Sequence, residues 1–279
     1  MDIKLILLDL DGTLLRSDKT LSEENLRALE ETAALGIEIV PASGRICSVM
    51  PEAVRALPFI RYAIGANGAE VYDMREQQLL HRADIPLSLA QRVYDYLDTL
   101  PVIYDCYLDG VGYIDNVHFA RLDEFITDPV VNRMVRSLRT PVENFRDFIT
   151  ARDHPLQKIQ MYFKDLDRRD RERARLNSLF PELTATSSLY NNIEMNIQSA
   201  TKGDALRFLC RHLGLRCEEV MAFGDMGNDL SMIQAAGLGV AMGNAHPQLL
   251  AAADYVTDTN DNDGVAKALE KLILHRDKP

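Results

Sequence analysis

The stretch Leu5-Ile6-Leu7-Leu8 constrains this chain more than any other, because four apolar residues run straight into Asp9, Leu10, Asp11 and Gly12. A short apolar run bounded by a turn signal reads as a strand inside a sheet. An ionised carboxylate buried without partners is expensive. The two aspartates therefore belong where that strand ends, next to something that compensates their charge.

The residues around this run set its context. The T-x-x-E spacing of Thr20 and Glu23 predicts a capping box, opening a helix that carries Leu26, Leu29 and Ala33 and stops at Gly36. Ile37–Val40 predicts the next strand. Ile46–Leu57 predicts a helix stopped by Pro58, and Tyr62–Ile64 a third strand running into Gly65-Ala66-Asn67-Gly68. Strands alternating with helices in this way predict a parallel, doubly wound sheet, Rossmann-like in class. The same rhythm returns late. Lys202–Leu213 reads as a helix with Gly214 behind it, Val220–Phe223 as a strand, Asp229–Ala236 as a helix and Val240–Met242 as a strand. His246–Ala253, Tyr255–Thr257 and Val265–Leu274 continue the alternation.

The middle of the chain has another grammar. Val102–Leu108 and Val111–Asp115 flank Asp109-Gly110, a two-residue hairpin signal. Leu156–Phe163 alternates like a half-buried strand, and Asp167–Leu179 reads as a charged helix. Leu183–Ser187 and Ile193–Ile197 suggest a second hairpin around Tyr190-Asn191-Asn192. Hairpins belong to antiparallel sheets. The expected organisation is an α/β core made of 1–83 and 188–279, interrupted by an α+β insertion at 84–187.

Composition excludes several classes. With 279 residues, 47% hydrophobic and 26% charged, the chain is an ordinary globular protein of one large or two medium domains. A net charge of −11 argues against non-specific nucleic-acid binding, though an acidic exterior can still surround a local positive site for a small anion. Cys47, Cys106, Cys210 and Cys217 include no C-x-x-C pair, so neither a zinc site nor a redox motif is indicated and a reducing compartment is expected. The six histidines are scattered. The first residues do not form a signal peptide and no apolar run reaches membrane-spanning length, so the expectation is a cytoplasmic protein without a membrane or nucleic-acid partner. No obligate protein partner is indicated.

Open parallel sheets bind ligands beyond the carboxyl ends of their strands. The first strand is followed there by Asp9, Asp11, Gly12 and Thr13, and the second by Ala42, Ser43, Gly44 and Arg45. The strand from Val220 is followed by Gly224, Asp225, Met226, Gly227, Asn228 and Asp229, while Lys202 opens a helix. Several carboxylates with one hydroxyl and one lysine suit a hard divalent cation such as Mg²⁺, held by carboxylates together with substrate phosphate. Lys202 and backbone N–H groups near Gly12 and Gly44 suit the remaining phosphate oxygens. One carboxylate aligned on phosphorus can act as a nucleophile, and a second, two residues on, as general acid and base.

These blocks resemble the haloacid dehalogenase-like (HAD) superfamily of phosphohydrolases: DLDGT at Asp9–Thr13, ASGR at Ala42–Arg45, TKGDAL at Thr201–Leu206 and FGDMGNDLSM at Phe223–Met232. GANGA at Gly65–Ala69, GVAMGNA at Gly239–Ala245 and DNDGVAKAL at Asp261–Leu269 resemble its Cof-type subfamily, in which a large α+β cap domain lies between the second and third blocks. The resemblance implies that Asp9 is the nucleophile and a metal ligand. It implies that Asp11 is the general acid/base, with its backbone carbonyl on Mg²⁺. Ser43 and Lys202 would complete the catalytic set. Gly12, Ser43, Gly44, Lys202 and Asn228 would bind phosphate with Asp9, and Asp225 and Asp229 would complete the metal set with Asp9 and Asp11. The implied activity is Mg²⁺-dependent hydrolysis of small phosphorylated metabolites, sugar phosphates foremost, through an aspartyl-phosphate. A phosphosugar mutase of the same fold and a non-hydrolysing phosphate-binding regulator are the alternatives. Arg45 reads equally as a helix-start residue or as one that reaches substrate. Asn244 reads as a turn residue, and Tyr104, Tyr107 and Tyr113 as sheet packing.

Overall fold

The structure, a computed structural model, describes residues 2–274. Leu5–Leu8 lies within a five-stranded parallel sheet of order Tyr255–Val256, Leu238–Ala241, Val220–Gly224, Leu5–Leu8, Glu38–Pro41. Its run is unbroken because both faces are covered, as parallel sheets require. Ile6 and Leu8 pack with Leu29, Ile39, Met221, Val265 and Leu269 on one face. Leu5 and Leu7 pack with Val40, Leu206, Leu209 and Ala222 on the other. Each such side chain taken fully out of water contributes roughly 1.5–3 kcal/mol. Leu5 registers with Glu38 on one side and Val220 on the other, so the strand order reverses beside this strand and opens a crevice at its carboxyl end.

Three local expectations change. The helix after the first strand is Glu23–Ala34, and its cap is Ser22, whose Oγ accepts from the Asn25 N–H at 3.1 Å. Thr20 is not the cap because it closes the preceding turn, donating through N–H and Oγ1 to Asp18 and accepting from the Arg16 N–H. The 46–57 stretch is a 3-10 turn at Cys47–Val49 and a short helix at Glu52–Arg55. Pro51 separates them: it lacks an N–H and pushes Met50 into extended backbone, with ψ 148°. Tyr62–Gly65 pairs antiparallel with Glu70–Asp73, which pairs with Gln78–Arg82. A parallel bridge between Ala42 and Ile64 links it to the second strand's extension.

The chain divides into two units, Met1–Arg82 with Thr201–Pro279, and Ala83–Ala200. The second contains a six-stranded sheet of order Leu183–Thr186, Asn192–Ile197, Lys158–Tyr162, Ile103–Leu108, Val111–Asp115, Thr140–Val142, antiparallel except for its last pair. Asp109 (φ 49°) and Gly110 (φ 77°) form the expected hairpin turn. Return to the first unit comes after Ala200, not after Ser187, because Asn192–Ile197 pairs with Lys158–Tyr162 and so belongs to this sheet. One face of the sheet, including Tyr104, Cys106, Ile159, Met161, Ile193 and Met195, packs on Val93, Tyr94, Phe145, Ile149 and Leu176. Among the described residues no helix is long and apolar enough to cross a membrane. All four cysteines are free thiols.

Candidate active site

Parallel pairing continues one residue beyond Leu8, with the Asp9 N–H donating to the Phe223 carbonyl at 3.0 Å. Asp9 therefore stands at the rim of the sheet beside the loop that follows Gly224. Lys202, the first residue of the Lys202–Leu213 helix, arrives there from a distant part of the chain. Its Nζ donates to Asp9 Oδ1 at 2.5 Å and to Asp229 Oδ1 at 2.6 Å. The helix dipole opposes a cation in a first turn, and these two carboxylates offset it. Lys202 and Asp229 are wholly buried, and Asp9 and Asp225 nearly so.

The 225–229 loop is held by its own last residue. Asp229 Oδ2 accepts from the Asp225 N–H at 3.0 Å and the Met226 N–H at 2.9 Å, so Asp229 binds the lysine with one oxygen and shapes the loop with the other. Asp225 Oδ1 accepts from Thr13 Oγ1 at 3.0 Å. Gly12 makes this approach possible: its φ is +94°, and a Cβ there would lie 2.4 Å from Asp225 Oδ2.

Three carboxylates thus surround one ammonium. Burial, and then the neighbouring Asp229, push Asp9 up to about 7. Burial, followed by Asp9 and Asp229, raises Asp225 well above the carboxylate range. Burial disfavours the Lys202 ammonium, but Asp229 and Asp9 outweigh it and hold its pKa above the ordinary lysine value. Asp9, Asp225 and Asp229 each offer an oxygen, all within 4.8 Å of one another. Close in sequence, Asn228 Nδ2 donates to Asn67 Oδ1 at 3.0 Å, while its buried Oδ1 accepts no hydrogen bond among the described residues. An excess of buried carboxylate fits a hard cation that keeps some of its water.

Asp11 lies in a different environment. Arg45 clasps it, with Nε on Oδ2 at 2.9 Å and Nη2 on Oδ1 at 2.8 Å, and Lys19 Nζ lies 2.9 Å from Oδ1. Burial raises this carboxyl, but Arg45 and Lys19 outweigh burial and hold it below the ordinary aspartate value. Its side chain is not among the three clustered carboxylates, which leaves its backbone carbonyl for the metal role expected of it. Ser43 is buried, and its Oγ accepts from the Arg45 N–H at 3.1 Å across Gly44.

The expected side chains form separate groups: Asp9, Lys202, Asp225 and Asp229 in one; Asp11 with Ser43's loop through Arg45; and Asn228 with Asn67. Thr13, Lys19 and Asn67 are partners that the sequence expectations omitted. Thr13 lies inside a quoted block and Asn67 inside another, whereas nothing in spacing marks Lys19. Asn244, expected as a turn residue, donates to the Gly12 carbonyl at 2.8 Å and accepts from the Asn260 N–H at 3.0 Å, so it fixes the loop after the first strand.

A profile of the haloacid dehalogenase-like hydrolases matches residues 6–269. The chain is 35% identical over 276 residues to the 5-amino-6-(5-phospho-D-ribitylamino)uracil phosphatase YcsE of Bacillus subtilis, covering 98% of this chain and 97% of the relative. It is 33% identical over 250 residues to the HMP-PP phosphatase of Escherichia fergusonii, covering 89% and 87%. Among solved structures, a haloacid dehalogenase-like hydrolase from B. subtilis superposes with a TM-score of 0.86 at 31% identity, covering 97% of this chain and all of that one. With both core segments inside the family profile and these relatives aligned along most of their length, the chain belongs to the haloacid dehalogenase-like hydrolases, of the Cof type, and is a phosphoric monoester hydrolase.

Proposed function

We propose that this phosphatase is Mg²⁺-dependent, acts on small phosphorylated metabolites and works through an aspartyl-phosphate on Asp9. The observation that carries this reading is that carboxylates from two remote segments meet one buried lysine at the carboxyl edge of a parallel sheet. Asp11 stands two residues on, in a contrasting cationic environment.

An Asp9 oxygen attacks phosphorus as the bond to the ester oxygen breaks, and Asp11, once Arg45 has released it and it has taken up a proton, delivers that proton to the leaving oxygen. Asp11 then takes a proton from water, whose oxygen attacks the phosphorus of the aspartyl-phosphate, freeing Asp9 and inorganic phosphate. Lys202 keeps Asp9 oriented and offsets the phosphoryl charge. Ser43, Asn228 and the backbone N–H groups at Gly12 and Gly44 hold phosphoryl oxygens. Asp9, Asp225 and the Asp11 carbonyl would hold Mg²⁺, with Asp229 supporting their loop. The bound ion supplies the positive charge that keeps Asp9 and Asp225 ionised beside a phosphate.

We assign substrate selection to the Ala83–Ala200 unit. Phosphorylated sugars and sugar alcohols come first as substrates, since one relative is named for a phosphoribityl compound. The test is phosphate release from a panel of phosphorylated sugars, sugar alcohols, nucleotides and cofactors, with Mg²⁺ and with EDTA, beside Asp9→Asn. We expect turnover that EDTA abolishes and that Asp9→Asn lowers by about a thousandfold or more. Turnover that survives either treatment rejects the proposal.

A further inference from the structure

Lys19 lies outside every sequence block described above, yet the structure spends several interactions on placing it. The chain from Arg16 to Thr20 folds back on itself, with the Arg16 N–H donating to the Thr20 carbonyl and the Lys19 N–H to the Arg16 carbonyl, both at 2.9 Å. Lys19 itself is left-handed, with φ 70°, a conformation that side-chain-bearing residues seldom adopt. The loop is fastened to the C-terminal DNDG block. Ser17 donates through N–H and Oγ to the two carboxylate oxygens of Asp261 at 2.8 and 2.6 Å. Arg16 Nη2 reaches Asp263 at 3.0 Å, and Asn260 Nδ2 donates to the Leu15 carbonyl at 3.0 Å. The outcome is a lysine ammonium 2.9 Å from Asp11 Oδ1.

The two cations on Asp11 differ in what they allow. Arg45 spans both carboxylate oxygens. A carboxyl that is to serve an ester oxygen needs one of its own oxygens free, so Arg45 must release at least Oδ2. Lys19 holds Oδ1 alone and can stay while Oδ2 turns to the substrate. We infer that Lys19 is a positioning residue that tethers the Asp11 carboxyl during turnover, and that the Asp261–Asp263 block serves the reaction by fixing the loop that carries it. The inference rests on the assignment of Asp11 to the leaving oxygen proposed above.

The test compares leaving groups. An alkyl phosphate, such as the best sugar phosphate of the panel, needs its leaving oxygen protonated, whereas 4-nitrophenyl phosphate releases a stable phenolate without that help. kcat and KM are measured on both substrates for the wild type, Lys19→Met, Lys19→Arg and Asp11→Asn. Lys19→Met is expected to lower kcat on the alkyl phosphate by about tenfold or more relative to the aryl phosphate, part of the 10²–10⁴-fold a positioned acid contributes. KM should change little, and Lys19→Arg should restore most of the loss. If Asp11→Asn lowers the alkyl-to-aryl ratio and Lys19→Met does not, the Lys19 inference falls and the phosphatase mechanism stands. An equal loss on both substrates that Lys19→Arg does not repair makes Lys19 a loop anchor only and overturns the inference. If Asp11→Asn also leaves the ratio unchanged, the acid role of Asp11 fails and Lys19's with it.

Discussion

One buried cluster in the first unit gathers three carboxylates with one ammonium, whereas one in the second gathers two carboxylates with two cations. In the second unit Arg139 pairs with Asp105 at 2.7 Å and Lys158 with Glu194 at 3.1 Å. Arg139 also donates to the Tyr107 hydroxyl at 2.6 Å and to Gln160 Oε1 at 3.1 Å. Strand alternation and register place Asp105, Tyr107, Lys158, Gln160 and Glu194 on one face of the sheet, opposite the apolar face. Tyr107, expected as packing, is thus part of a polar network. Burial still raises Asp105 despite Arg139 beside it, but the charges balance. Buried ions are tolerated when paired. The cluster around Lys202 is not balanced by protein groups, and that difference in count marks it as the place for an added cation.

The largest test of the contrast removes one cation from each cluster. Arg139→Met and Lys202→Met should each destabilise by about 3–5 kcal/mol, as expected when a buried charge loses its partner. In urea unfolding, Mg²⁺ should recover part of the loss for Lys202→Met and none for Arg139→Met; equal recovery would erase the distinction. Next in size, Asp229→Asn loosens the loop that presents Asp225 and should raise the Mg²⁺ concentration for half-maximal turnover by about 10–100-fold, the range for groups that orient metal ligands. Glu194→Gln, in the balanced cluster, should leave that concentration where it was.

The smallest effect is on pH dependence. Asp9 is raised from 3.8 to about 7, so without Mg²⁺ the folded protein retains a proton that the unfolded chain has lost across that window. Stability from this group therefore falls as pH rises from about 4 to about 7, the reverse of a salt-bridged aspartate. Asp225 shifts in the same direction. The rise in melting temperature on adding Mg²⁺ should be a few degrees larger at about pH 8 than at about pH 5, at roughly 2–4 °C per kcal/mol. An equal rise at both values would show that no carboxylate proton is being displaced.

Much of the architecture could be read from the chain because it is encoded locally. The Leu5–Leu8 run, the Lys202–Leu213 helix and the Asp109-Gly110 turn each carry their signal within a few residues. Other elements were set by competition. Thr20 and Ser22 both offer a hydroxyl, and Ser22 caps the helix because Asp18 engages Thr20. Tyr62–Gly65 has the composition of a parallel strand, but the left-handed backbone at Ala66 and Asn67 turns the chain back so that Glu70–Asp73 becomes its partner. The Asn192–Ile197 strand was legible, but its membership in the second unit depended on which strand it would pair with.

By itself, the sequence determined where the chemistry-bearing residues stand along the chain: carboxylates, a hydroxyl and a lysine at strand and helix ends. Those positions follow from hydrophobic period and turn residues, which act over short range. Tertiary structure alone decided which groups meet. Lys202 touches Asp9 across 193 positions and Asp229 across 27. Asp11 collects Arg45 from the next strand's loop and Lys19 from a turn braced by the far end of the chain. A charged residue contributes no hydrophobic period to read. Its partner is set when the packed elements bring distant loops within a few ångströms, where Coulomb attraction in a poorly solvated site becomes strong enough to matter.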